Sequence, residues 1–163
     1  CVAPSMDDAM LQRLELEPEM QTKLTVTAQG DGDLGARMQG AFERLQQDHN
    51  AVVMIGTDAP DITASVLDQA AKDISRYDAI FIPARDGGYT LIGINQTFTT
   101  PLSVLFTDMP WSTPAVMPIT RKRLINMNVQ WHEYAPMADI DEPEDLEQLP
   151  AHWPRAWSEG NAS

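Results

Sequence analysis

The chain has 163 residues and a net charge of −13, from 24 acidic and 11 basic side chains, and 43% of it is hydrophobic. This is the length of one domain with enough apolar material for a core, which excludes a disordered chain. Eleven scattered cations also exclude a nucleic-acid groove and a docking face for anionic lipid, since both need clustered Lys and Arg. A phosphate-bearing ligand would have to reach so acidic a chain through a hard divalent cation, Mg²⁺ or Mn²⁺, held by carboxylate oxygens. Cys1 is the only cysteine, so no intrachain disulfide forms and a reducing, cytoplasmic setting is expected. No apolar run reaches about 18 residues, so no membrane span is expected. The chain opens Cys1-Val2-Ala3-Pro4 without Met, and we expect residues upstream of it.

In chain order, Cys1 to Ala3 reads as the end of a strand, and Ser5 opens a helix with Met10, Leu11 and Leu14 on one side. Lys23 to Ala28 is a strand candidate. After a loop from Gly30 to Gly35, the residues Leu34, Met38, Ala41, Phe42 and Leu45 recur at helical spacing, and that helix ends near Asn50. Ala51 to Ile55 is apolar and rich in β-branched residues, the pattern of a strand buried on both faces. Thr63 to Arg76 carries a helical stripe of Val66, Leu67, Ala70, Ala71 and Ile74, and Ala79 to Pro83 is the next strand.

Tyr89 to Ile94 is a strand that follows a two-glycine turn. Thr113-Pro114 then offers a helix start, which Pro118 should kink or delay to about Met117. The strand Val129 to Tyr134 leads into an acidic loop, Asp139 to Leu146, that opens a short final helix. Residues 1–150 form the expected domain, and 151–163, rich in Trp, Pro, Gly and Ser, a tail. Strands alternating with helices of this length predict an α/β domain of three layers, αβα, around a mainly parallel central sheet.

In such sheets ligands bind outside the carboxyl ends of the strands, and acids recur there. Asp58 and Asp61 follow the strand that ends at Ile55, Asp86 follows the one that ends at Pro83, and Asp139 and Asp141 follow the one that ends at Tyr134. Brought together, these carboxylates would suit Mg²⁺ or Mn²⁺ and a polyphosphate. Each has a plainer reading as well. Asp58 or Asp61 would serve as the cap of the helix near Thr63. Asp86-Gly87-Gly88-Tyr89 would be a hairpin turn as readily as a close approach of backbone to ligand. The loop Gly30-Asp31-Gly32-Asp33-Leu34-Gly35 would offer helix N-terminal N–H groups to an anion, although it lacks the spacing and lysine of a P-loop. His49, His132 and His152 show no metal spacing and read as structural or exposed.

Five ordered blocks carry a resemblance. They are Gln29 to Met38, Ile55 to Asp61, Pro83 to Gly93, Pro110 to Thr113 and Asp139 to Leu146. On these residues the chain resembles a bacterial family of uncharacterised, glycosyltransferase-like proteins with the nucleotide-diphospho-sugar transferase (glycosyltransferase A) fold, related to cofactor guanylyltransferases. The resemblance implies that Asp58 is the catalytic metal and diphosphate residue, with Asp141 or Asp139 as second metal ligand. It implies that Asp86, Gly87, Gly88 and Tyr89 line the acceptor or sugar pocket, and that Arg37 faces the donor or braces its loop.

Members of this fold open with a strand and loop that hold the nucleotide, and nothing before Cys1 supplies them. The expectation is therefore a domain lacking its first strand, with a sheet edge open to self-association in a homo-oligomer. Three functions follow from the resemblance. The first is metal-dependent glycosyl transfer from a nucleoside-diphosphate sugar. The second is nucleotidyl transfer from a nucleoside triphosphate to a phosphorylated acceptor, and the third is a catalytically incomplete binding domain.

Overall fold

A computed structural model of the protein describes Thr25, residues 27–140, Asp145 and Leu149. The expected strand end at residues 1–3, the helix from Ser5, Asp141, most of the acidic loop and the tail at 151–163 lie outside the described residues. The strand expected over Lys23 to Ala28 lies there in part, and its described residues Thr25, Thr27 and Ala28 are not in a strand.

Eight elements follow in order: α1 (Leu34–Leu45), β1 (Ala51–Ile55), α2 (Ala64–Asp73), β2 (Ala79–Pro83), β3 (Tyr89–Asn95), α3 (Ser103–Phe106), α4 (Val116–Asn126) and β4 (Trp131–Glu133). The helix starts have local causes. Asp33 caps α1 by accepting the Ala36 N–H at 2.8 Å. Thr63 caps α2 through its hydroxyl oxygen, which accepts the Val66 N–H at 3.4 Å. α4 starts at Val116, two residues after Pro114 and close to the delayed start expected near Met117, and Pro118 is its third residue, in the first turn, where a missing N–H costs no intrahelical bond.

The sheet corrects the parallel expectation. Its order is β1-β3-β2-β4, and β3 pairs antiparallel with both β1 and β2, while β4 pairs parallel with β2. The described sheet is therefore mixed. β1, β2 and β4 point the same way, and β3 returns between β1 and β2. The short Ala84–Gly88 turn is the cause, because a two-glycine hairpin reverses the chain where a helical crossover would have kept its direction.

β2 is buried throughout and β3 nearly so. Side chains along β2 alternate between two apolar clusters. Ala79 and Phe81 join Phe42 of α1, Leu105 and Phe106 of α3, and Met117 and Leu124 of α4. Ile80 and Ile82 join Ala70 of α2, Ile74 and Leu91. β1 differs from the expected doubly buried strand: Val53 is 36% and Ile55 43% exposed, because β1 has β3 as its one partner among the described residues.

Candidate functional site

Three strands of one direction deliver their loops to one end of the sheet. The loop after β1 carries Asp58, the β2–β3 turn carries Asp86 to Gly88, and the segment after β4 carries Asp139. That last segment runs beside β2, bridging Ala84 and Met137, and then reaches the β1 loop, where the Ile140 N–H donates to the Asp58 carbonyl at 2.9 Å. The β1 loop is tied in turn to β3, with the Gly56 N–H donating to the Thr90 carbonyl at 2.9 Å. Strand order alone would leave β1 and β4 at opposite edges, so these bonds are what join their acids.

The loops border a cavity of about 590 Å³. Its wall includes Arg37, Asp58, Asp86, Gly88, Tyr89 and Asp139, so the structure brings together six of the residues singled out in the sequence. Asp58 is exposed and makes no side-chain hydrogen bond or ion pair among the described residues. The helix it was expected to cap is capped by Thr63 instead, which removes the plainer reading of Asp58 and of Asp61. Asp86 accepts the Gly88 N–H at 2.9 Å, so the turn reading of Asp86-Gly87-Gly88 holds while Asp86 and Gly88 also face the cavity.

Gly87 stands off the cavity wall. Its φ of +102° suits glycine, and a Cβ there would run into the Pro114 backbone. Its carbonyl accepts the Met117 N–H at 2.8 Å, which fastens the turn to the start of α4.

Arg37 does two things. Its Nε donates to the Gly32 carbonyl at 2.9 Å, bracing the glycine-rich loop, and the side chain borders the cavity. The N-terminus of α1 does not offer itself openly to an anion, because the Asp33 carboxylate already takes the Ala36 N–H. Tyr89 packs edge-on against Phe81 and Trp111, and burial pushes its phenol above its usual range, so it stands as a neutral O–H at the cavity.

Among the described residues, no three His, Cys, Asp or Glu side chains converge as a ready metal cage. The donor set at the sheet end is oxygen only, and a hard cation commonly takes one or two carboxylates and completes its shell from phosphates and water. Asp58 and Asp139 fit that partial role. Asp141, the other expected ligand, lies outside the described residues.

Sequence reasoning assigned no role to Arg44 or Trp111, and both line the cavity. Arg44 follows Arg37 by seven residues, two helical turns, which places both on one helix face. Trp111 was quoted in a motif without a task. It stacks on Phe106 and closes on Gly35 of α1, whose missing Cβ leaves room for the indole. Its position depends on a loop with left-handed backbone at Asp108 and Ser112, and no local spacing signals that.

A crystal structure from Desulfovibrio desulfuricans G20, of a protein provisionally assigned as a nucleotide-diphospho-sugar transferase, is similar to this chain, with a TM-score of 0.69 and 30% sequence identity. The likeness covers 83% of this chain and 60% of that one, so the chain spans less than two thirds of its neighbour's length. Among curated proteins none matches. No helix among the described residues is long and apolar enough to cross a membrane. A family model described as an uncharacterized protein conserved in bacteria (DUF2064) matches residues 1–113, and the chain belongs to that family.

Proposed function

We propose that this domain is a glycosyltransferase that takes a nucleoside-diphosphate sugar as donor and works with Mg²⁺ or Mn²⁺. The observation that carries the reading is the single cavity at the sheet end that Asp58, Asp86, Tyr89 and Asp139 share, in a fold similar to a protein assigned to that class. An α/β architecture layered as in nucleotide-diphospho-sugar transferases belongs to the same proposal.

In this reading Asp58, with Asp139 or Asp141, holds the cation, and the chemistry the cation supplies is neutralisation of the departing diphosphate. Asp86 faces the acceptor hydroxyl. The bond from the anomeric carbon to the diphosphate oxygen breaks, a bond to the acceptor oxygen forms, and the acceptor's proton passes to Asp86. Gly88 leaves space for the sugar, and Tyr89 donates its neutral O–H while giving the ligand an aromatic flank. Arg37 contacts a donor phosphate with its terminal nitrogens while its Nε keeps the Gly32 carbonyl.

The test is calorimetric titration with UDP-, GDP- and dTDP-sugars and the matching triphosphates, with and without Mn²⁺. Metal-dependent binding of one diphosphate sugar is the expected result and names the base. Selective binding of a triphosphate, with pyrophosphate released on turnover, would replace the reading with nucleotidyl transfer. Binding of none would leave an incomplete binding domain.

A further inference from the structure

One wall of the cavity is a helix face with an unusual composition. Leu34, Arg37, Met38, Ala41, Arg44 and Leu45 of α1 all border the cavity, at the spacing of one helical stripe. An apolar stripe would suffice to pack a helix against a sheet, yet two of these six positions are arginine. Among the described residues they are the only cations on the wall, in a chain whose overall charge of −13 repels anions.

Among the described residues neither arginine is consumed by an acid. Arg37 is bonded through Nε to the Gly32 carbonyl, and Arg44 makes one long contact, 3.5 Å, from Nη1 to the Gly40 carbonyl. Among the described residues neither forms an ion pair, whereas Arg76 and Arg121 each face a carboxylate. Seven residues of helix separate Arg37 and Arg44, about 10 Å along the axis, which exceeds the span of one phosphate. Two guanidinium groups so placed suit two anionic groups.

We propose that Arg44 is the centre of a second anionic subsite, which recognises a phosphate or carboxylate on the acceptor while Arg37 serves the donor. This deepens the glycosyl-transfer reading and rests on it, and it makes the acceptor an anionic molecule. The guanidinium stays charged at all working pH and offers a planar fork that fits either oxyanion with two parallel bonds. The Leu34 and Leu45 side chains, 40% and 42% exposed, bracket the arginines and lower the local polarity around the contact.

The alternative role for Arg44 is structural, as the cation in the last turn of α1 that complements the helix dipole. The experiment separates the two. The full chain is titrated calorimetrically with glycerol 2-phosphate and, separately, with glycolate, and in parallel with the panel of diphosphate sugars and Mn²⁺. We expect one of the two small anions to bind, its chemistry naming the acceptor group. Arg44→Gln should weaken it about tenfold or more, with donor affinity and Tm unchanged, while Lys122→Gln, an exposed residue of α4, changes nothing.

Unchanged anion affinity in Arg44→Gln with a lowered Tm would establish the structural role and overturn the proposal, as would donor binding with no response to either anion. If no diphosphate sugar binds but small-anion binding still depends on Arg44, the subsite stands and the glycosyl-transfer reading falls.

Discussion

Two groups of acids in this molecule are built in opposite ways. Asp73, buried at the end of α2, accepts hydrogen bonds from Gln69 at 2.9 Å and from the Tyr134 hydroxyl at 2.8 Å and stands 3.5 Å from Arg76. Glu133 on β4 takes both arms of the Arg121 fork. These partners hold both carboxyls below their usual range, Asp73 chiefly through Gln69 and Tyr134, and Glu133 chiefly through Arg121. At the other group, Asp58 has no side-chain partner among the described residues, and Asp86 takes a single N–H from its own turn. The difference teaches that charge count alone says little about an acidic chain. An acid whose lone pairs are filled by the protein stabilises the fold, and one left with lone pairs facing a cavity is available to a cation or a ligand.

The comparison is sharpest at Asp58. Asp58→Asn should reduce Mn²⁺-dependent affinity for a diphosphate sugar about a hundredfold, the scale of losing a charged partner, with no loss of Tm. Calorimetry beside a melting curve measures both, and retained affinity in a folded variant would break the contrast. Gly87→Ala tests the turn that carries Asp86. The strained φ and the Pro114 backbone should destabilise the fold by about 2 kcal/mol, read by urea denaturation, while donor affinity of the folded fraction stays the same because Gly87 is off the wall.

The satisfied acids should behave in the reverse manner. Glu133→Gln should cost about 1 kcal/mol, since the pair with Arg121 is part-exposed, and it should leave ligand binding intact. Its pH dependence has a definite sign. Glu133 and Asp73 bind a proton less readily folded than unfolded, so their contribution is present above the unfolded carboxylate range and is lost as pH falls through their lower folded values. Tm of the parent protein should therefore drop on acidification below about pH 4, and circular-dichroism melts of Glu133→Gln should show a shallower drop.

The smallest effect is expected at Tyr134→Phe, which removes one of the hydrogen bonds to Asp73 for about 0.5–1 kcal/mol. A change in donor affinity in that variant would mean that the two acid groups are coupled. Urea denaturation and the same calorimetric titration read the two quantities side by side.

Much of the local structure was legible in the chain. The bounds of β1 and β2 follow directly from the apolar runs Ala51–Ile55 and Ala79–Pro83, and α1 and α2 lie within the expected helical stripes, each ending before the expected residue, near Asn50 and at Arg76. These are short-range properties, in which side-chain periodicity and a neighbouring cap decide the backbone. The turn at Asp86-Gly87-Gly88 was visible too, but its consequence was not. A glycine pair permits either a reversal or a crossover start, and pairing with both β1 and β2 settles which.

The four-residue α3 escaped notice because one turn has no period to detect, and the exposure of β1 escaped it because an apolar run reports composition and not its number of neighbours. The candidate site divides along the same line. Residue type and position after a strand singled out Asp58, Asp86 and Asp139 one by one, and the family resemblance gave Tyr89 its place in the pocket. Their sharing one cavity depended on a hydrogen bond between residues 58 and 140, and the place of Arg44 and Trp111 on its wall depended on how α1 and the loop after α3 pack. The sequence by itself determined the longer helices and the strands β1, β2 and β3 and singled out the acids that follow them, because those follow from forces acting over a few residues. Tertiary structure alone decided that β3 runs antiparallel, that acids from opposite edges of the sheet meet, and which carboxylates are filled by the protein, because each is set by partners far apart in the chain.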